Sequence, residues 1–416
     1  MAKRSLRAEA SSKDSIVLPP EAAKHLGLAP GASLDLVVRR GRVEVLPNIH
    51  SLSRVYIEPT SRCNLACRTC IRSSWAEQQG DMAPEVFAKL VEDLGDFPGL
   101  GSAMLGGFGE PTAHPRILSM VQALKGIKLR TELVSNGTLL DEGLAKGLVE
   151  AGLDRLWISL DGTEEAAFEQ VRAGARFKDV VRNVRRLKDL SLAASHPLSL
   201  GIAFVVTRKN VSDLEAVGTM ARKLGADRVS VSNAIPYSPE MELQMACNQA
   251  LTLGTLAAGE EKVDLDLPRL DLDAATKETL WSLLAGGESL SLMGEPLAAR
   301  TDECRFIRER CVCVRWDGKV SPCMGLMHSH AVFFQRIKKD VRSHSFGDVS
   351  RQSLTDIWDS AEYASFREKV SAFDFAPCHV CGGCDLSAEN QKDCDGNTFP
   401  AVCGGCLWAQ GVVQCP

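Results

Sequence analysis

From Arg54 to Tyr237 the chain alternates between short apolar runs and longer amphipathic stretches. The runs are RVYIEPT, GSAMLGGFG, KLRTELVSNG, RLWISLDG, LSLGIAFVVT and RVSVSNAIPY, and their β-branched and aromatic residues favour strands. Between them, residues near 84–94, 115–125, 141–151, 164–190 and 212–224 repeat their apolar positions at helical spacing. Strands joined by helical crossovers predict an α/β fold with a parallel sheet, open or curled into a partial (β/α)6 barrel of the TIM type. In such folds the chemistry sits beyond the carboxyl ends of the strands.

The flanks are patterned differently. Short β-type runs at 15–18, 33–39 and 42–46, a helix at 20–26 that Gly27 can end, a Pro30-Gly31 turn and an Arg40-Gly41 hairpin predict a small β-rich module over 1–50. A piece of that size has little core and must dock or pair. The barrel is expected over 51–240 and a connector with some helix over 241–300, where the Leu/Asp alternation of DLDLPRLDLD reads as a surface feature. A cysteine-rich domain then fills 301–416.

Composition narrows the class. A net charge of −5 and a pI near 6.0 argue against a general nucleic-acid-binding surface. No run approaches the ~18 apolar residues of a membrane span, and the basic start MAKRSLRAEASSK has no apolar segment behind it, so a cytoplasmic protein is expected and no membrane partner. The 15 cysteines change the picture most. Three fall at Cys63, Cys67 and Cys70, eleven lie from Cys304 to Cys415, and Cys247 stands apart. A reducing compartment disfavours disulfides, and such clustering points to metal.

Cys63-x3-Cys67-x2-Cys70 follows the first strand and can aim three thiolates at one point. Three ligands leave one iron of a four-iron cluster open for a cosubstrate; a three-thiolate zinc or redox loop is the alternative. This spacing resembles the radical S-adenosylmethionine superfamily. The resemblance implies that the cosubstrate's methionine group completes the cluster and that its cleavage yields a 5′-deoxyadenosyl radical. The aromatic residue common before the third cysteine is replaced here by Thr69.

The resemblance also assigns the later strand ends. Gly106, Gly107 and Gly109 in GGFGEP let backbone approach the methionine amino group, and Glu110 caps or orients that loop. Ser135 and Asn136 of VSNG, and Ser159 and Asp161 of SLDG, are candidates for ribose hydroxyls or the carboxylate, or else plain turn and cap residues. Arg208 and Asn233 are further candidates.

In the tail, VRWDGKVSPC reads as a hairpin turning at Asp317-Gly318. Its cysteines are Cys304, Cys311, Cys313, Cys323, Cys378, Cys381, Cys384, Cys394, Cys403, Cys406 and Cys415, enough for two clusters; zinc ribbons are the alternative. The spacing of Cys304, Gly318 and Cys323 resembles the SPASM domain of radical maturases, which implies one or two auxiliary 4Fe-4S clusters. One set would take Cys304, Cys323, Cys311 or Cys313, and a downstream cysteine such as Cys394. The other would draw on Cys378, Cys381, Cys384, Cys403, Cys406 and Cys415. His328 and His330 read as solvated loop histidines with a ligand or proton-transfer role as the alternative, Asp317 and Asp374 as possible acids or bases, and Met324 stands where sulfatase-type maturases carry an aspartate base.

YIEPTSRCNLACRTCIRSSW, VRWDGKVSPCMGLMHSH and NTFPAVCGGCLWAQGVVQCP together resemble the maturases associated with tungsten-cofactor oxidoreductases of the aldehyde ferredoxin oxidoreductase type. The N-terminal Leu18-Pro19, Leu26-Gly27-Leu28, Pro30-Gly31 and Gly41 resemble the AbrB-like swapped hairpin. The resemblance implies a peptide, protein or cofactor substrate, with the tungsten oxidoreductase as partner and a reducing donor such as ferredoxin or flavodoxin. Two other readings are an iron–sulfur redox sensor that binds DNA through the N-terminal module, whose Arg39, Arg40 and Arg42 read first as a solvated hairpin edge, and a radical enzyme acting on a small molecule.

Overall fold

The computed structural model describes residues 9–12, 15–25, 34–39, 42–247, 264–267, 276–279, 282, 289–292, 295–296, 303–334, 336–376, 378 and 385–416. The N-terminal runs form two antiparallel hairpins, β1 (Glu9–Ser12) with β2 (Ser15–Val17) and β3 (Leu34–Arg39) with β4 (Arg42–Pro47), with helix α1 (Pro20–His25) between them. The expected turns at Gly27, Pro30-Gly31 and Arg40-Gly41 lie outside the described residues.

All six strands expected between Arg54 and Tyr237 form: β5 (Arg54–Ile57), β6 (Ser102–Leu105), β7 (Arg130–Ser135), β8 (Arg155–Ser159), β9 (Ser199–Val206) and β10 (Arg228–Asn233). They pair in chain order and in parallel. Crossover helices cover them: α2 (Pro84–Leu94), α3 (Ile117–Gly126), α4 (Glu142–Glu150), α5 (Glu165–Val171), α6 (Phe177–Leu192) and α7 (Leu214–Lys223). The central strands are buried on both faces, as parallel strands between helices must be, which is why β8 reads as the continuous run RLWIS. Gly201 on β9 makes room for its neighbour, since a Cβ there would overlap the ring of Trp157.

The sequence pattern over 164–190 predicts continuous helix, but the structure breaks it. Helix α5 ends at Val171, Gly174 turns the chain with φ of +97°, and α6 restarts at Phe177. Only glycine takes that conformation cheaply. The break frees the backbone carbonyls of Val171 and Ala173 to accept from Arg68 and Ala66 of the three-cysteine loop.

The described residues of the connector include helix at 277–279 and a small sheet of β11 (Asp264–Leu267), β12 (Ser289–Leu292) and β13 (Glu295–Pro296), so DLDL forms a strand. In the tail, β14 (Cys311–Val314) and β15 (Lys319–Ser321) form the expected hairpin, with Gly318 at φ of +88°. That hairpin is not separate from the barrel. Strand β14 pairs in parallel with β5, Cys313 opposite Tyr56, and the sheet continues through β15. A second hairpin, β16 (His330–Phe334) with β17 (Ile337–Val341), forms a separate two-stranded sheet, and β18 (Gly347–Asp348) ends the large sheet of nine strands. One continuous core runs from the barrel into the tail, joining Val55 and Leu133 to Val312, Ile357 and Trp358.

Candidate active site

The three-cysteine loop leaves β5 at the carboxyl edge of the sheet. Its course is fixed by backbone bonds: Arg68 N–H donates to Val171 at 2.9 Å, and Cys70 N–H to Cys67 at 3.2 Å. Burial raises the Cys63 thiol and pushes Cys67 up to about 11, the latter partly offset by the charge of Arg172. Thiols held neutral in this way become ligands only when a metal takes the proton's place.

A cavity of about 270 Å³ opens beside the loop. Cys63, Cys67, Cys70 and Thr69 line it, together with Gly106, Gly107, Gly109, Glu110, Ser135, Asn136, Ser159 and Asn233. The structure thus gathers most of the sequence candidates on one surface. The glycines are demanded by space. A Cβ on Gly109 would overlap the carbonyl oxygen of Thr60, and one on Gly107, whose φ is +136°, would fall 2.7 Å from Cγ of Glu58.

Glu110 organises the strand ends. Its carboxylate is 2% exposed and accepts from Thr112 N–H (3.0 Å), Thr112 Oγ1 (2.5 Å), Ser135 Oγ (2.8 Å) and Asn136 N–H (2.7 Å). Ser135 is therefore occupied within the protein. Asn136 makes the Asx turn with Thr138 N–H (2.9 Å) and donates to Asn64 Oδ1 at 2.9 Å.

Two candidates lie elsewhere. Asp161 is fully buried behind the wall; it accepts from Val205 N–H at 2.8 Å and pairs with Arg172 at 2.9 Å. Arg208 turns away, its Nε donating to the Met245 carbonyl at 2.9 Å. Sequence reasoning missed Arg172, which lines the cavity and supplies its only cationic side chain among the described residues. Its signal was the arginine ahead of Ala-Gly in VRAGAR, masked by an apparently unbroken helical pattern.

The far wall was also missed, because it comes from the other end of the chain. Met324, Trp408, Val413, Gln414, Cys415 and Pro416 complete the cavity. Asn233 Nδ2 donates to the Val412 carbonyl at 3.0 Å, and Gln414 N–H to Ser232 Oγ at 3.0 Å. Arg305 Nη1 holds the Cys415 carbonyl at 2.6 Å.

The tail thiols fall into groups. Cys304, Cys323, Cys403 and Cys406 lie close enough for their charges to act on one another, and burial pushes Cys304 up to about 12. Cys403 and Cys406 thus act electrostatically within the same group as Cys304 and Cys323, across the two sets drawn from the sequence. Cys311 and Cys313 sit on β14, whose alternation puts both on one face, and Cys415 acts electrostatically on Cys313. Cys394 is exposed, Cys378 half-buried, and Cys381 and Cys384 lie outside the described residues. Among the described residues no three Cys, His, Asp or Glu side chains converge to hold a single metal ion; an iron–sulfur cluster takes its thiolates around a larger body.

The histidines are not solvated. His328 is 1% exposed and His330 6%, with His330 Nδ1 2.8 Å from the His328 carbonyl oxygen. Asp317 is engaged by Arg315 through two contacts of 3.1 and 3.0 Å, and the Asp374 carbonyl accepts from Asn397 Nδ2 at 3.1 Å.

Comparison with known proteins agrees with this geometry. The radical SAM superfamily profile matches residues 57–219, and the SPASM iron–sulfur cluster-binding domain matches residues 304–385. The chain is 31% identical over 370 residues to the tungsten-containing aldehyde ferredoxin oxidoreductase cofactor-modifying protein of Pyrococcus furiosus, covering 87% of this chain and 96% of that one. It is 27% identical over 362 residues to the PqqA peptide cyclase of Gluconobacter oxydans, covering 83% and 88%. The solved structure of SuiB from Streptococcus suis shares the fold with a TM-score of 0.53 at 15% identity, covering 80% of this chain and 73% of that one. No helix among the described residues is long and apolar enough to cross a membrane. The three-cysteine loop, the glycine-cradled cavity beside it and a relative matched almost end to end place this chain in the radical S-adenosylmethionine superfamily, as an enzyme with a SPASM domain and the iron–sulfur clusters that such domains bind.

Proposed function

We propose that this protein is a maturase that cleaves S-adenosylmethionine in the cavity beside Cys63, Cys67 and Cys70 and modifies a peptide, protein or cofactor for a tungsten-containing oxidoreductase. The observation that carries it is the union, in one cavity, of three thiols from a single loop, glycine backbone with no room for a Cβ, and one buried guanidinium. When bound, the cluster supplies the electron that splits the sulfonium into methionine and a 5′-deoxyadenosyl radical. The chain's own groups do the rest. Arg172, held by Asp161, offers a fixed cation for the methionine carboxylate, with Ser159 and Asn233 at the ribose and adenine end. The backbone at Gly106 and Gly107 offers acceptors for the ammonium. Met324, Val413 and Trp408 supply the apolar side of the cavity, which keeps water and other hydrogen donors away.

On this reading 51–240 is the barrel domain and 301–416 the auxiliary domain, with 1–50 an AbrB-like module and 241–300 the connector. Cys304, Cys323, Cys403 and Cys406 hold one auxiliary cluster, and Cys378, Cys381 and Cys384 contribute to a second. A cytoplasmic site and a low-potential ferredoxin or flavodoxin donor fit the chemistry. The test is anaerobic reconstitution with dithionite and S-adenosylmethionine, followed by mass analysis of the oxidoreductase expressed with and without this protein. Deoxyadenosine plus a mass change on the polypeptide supports peptide modification. Altered tungsten occupancy alone points to the cofactor. No deoxyadenosine sinks the proposal.

A further inference from the structure

His328 comes from the C-terminal domain, yet its ring is seated between two carboxylates of the barrel side. Nε2 lies 3.0 Å from Oε2 of Glu58, and Nδ1 lies 2.8 Å from Oε2 of Glu77. With both carboxylates ionised, each ring nitrogen must donate, which only the imidazolium can do. Trp75 stacks on the ring at 4.1 Å between centroids, and Phe108 meets it edge-on at 5.8 Å. The other charged or titratable groups facing the ring are Arg315, 3.2 Å from Glu77, and His330, bonded to the His328 carbonyl.

Glu58 connects this ring to the cavity. Its Oε1 accepts the Phe108 N–H at 3.2 Å, and its side chain packs where a Cβ of Gly107 would stand. Gly107 and Phe108 both line the cavity. Glu58 is 1% exposed, so without the cation it would be an uncompensated buried charge and would not keep its place under that backbone.

We propose that His328 is a positioning residue for S-adenosylmethionine: acting through Glu58, it sets the Gly107 and Phe108 backbone against which the methionine group binds. This couples the auxiliary domain to cosubstrate affinity, and it rests on the reading that the cavity takes S-adenosylmethionine.

The test compares reconstituted wild type with His328→Gln and with Glu77→Gln, which removes one arm at the rim of the pair. Three quantities are read: KM and kcat for uncoupled deoxyadenosine formation, amide exchange at Phe108, and the spectra of the clusters. Loss of one charge-assisted bond should raise KM for S-adenosylmethionine roughly tenfold in His328→Gln. The rise in Glu77→Gln should be smaller. Phe108 should exchange faster in both, with kcat nearly unchanged and cluster spectra intact. Unchanged exchange with wild-type KM overturns the proposal, as does a fall in kcat at constant KM. If His328→Gln fails to fold or loses iron, Glu77→Gln decides: normal KM and normal exchange in that variant overturn it. A wild-type protein that makes no deoxyadenosine overturns the underlying reading instead.

Discussion

The guanidinium of Arg172 meets the carboxylate of Asp161 at 2.9 Å, with Asp161 wholly enclosed and Arg172 reaching the cavity. The aspartate of SLDG therefore serves through the arginine beyond it. Arg172→Gln should leave Asp161 buried and unpaired, at a cost of about 3–5 kcal/mol. Asp161→Asn is the milder change, because it leaves no buried carboxylate and the amide oxygen still accepts from Val205 N–H. Thermal melting should rank Arg172→Gln below Asp161→Asn, and both should raise KM for S-adenosylmethionine. A normal KM in a folded Arg172→Gln would remove that residue from the cosubstrate site.

Replacing Cys63, Cys67 or Cys70 with Ala should abolish deoxyadenosine formation. Replacing Cys304, Cys323, Cys403 or Cys406 should leave uncoupled cleavage partly intact while lowering iron content. Chromatographic product analysis with an iron assay separates the two sets. Equal loss of deoxyadenosine from both would contradict the division of labour.

Gly109→Ala puts a methyl group into the Thr60 carbonyl and close to that of Arg62, so the strand-end loop must shift against the cysteine loop. Iron content and cosubstrate binding should both fall. Gly101→Ala, where nothing lies within 4 Å of the added carbon, is the control that should keep both. Normal iron and binding in Gly109→Ala would show the cradle to be looser than its packing implies.

The His328 arrangement also sets a pH window. Burial opposes ionisation of Glu77, but hydrogen bonds from His328 and Ser329 and the charge of Arg315 outweigh it and hold the carboxyl down to about 2. Its contribution to stability is present above the ordinary carboxyl value of 4.5 and is lost as pH falls from there towards 2. Burial likewise opposes the His328 cation, but Glu58 and Glu77 outweigh it and raise its pKa above the ordinary 6.5. That contribution is complete below 6.5 and fades as pH rises through the elevated value. Denaturant titrations across pH should show both edges in wild type, with the alkaline edge diminished in His328→Gln. An unchanged alkaline edge would mean that His328 is not the group responsible.

The barrel was legible because each strand is a compact apolar run and each crossover keeps helical spacing. The Cys63, Cys67 and Cys70 loop was legible because its three cysteines are local in sequence. What escaped was whatever depends on distant partners. His328 sits in the polar string MHSH, and nothing nearby says that Glu58 and Glu77 will enclose it. Asn233 and Val412 meet only because the chain end returns to β10, so Trp408 and Gln414 gave no sign of lining a cavity. Arg172 was hidden because Gly174 looked tolerable inside a helix; its left-handed turn is a tertiary decision. Asp161 was placed at the right strand end but one layer too near the ligand.

The parallel pairing of β5 with β14 makes the polypeptide its own ruler. Side chains alternate along a strand, so a slip of one residue in β14 would send Cys311 and Cys313 to the opposite face. The distance and phase between the two metal-bearing ends are thus indexed by a ladder of main-chain bonds, not by a flexible hinge. An insertion inside 311–314 would break that ladder and misaddress the thiols.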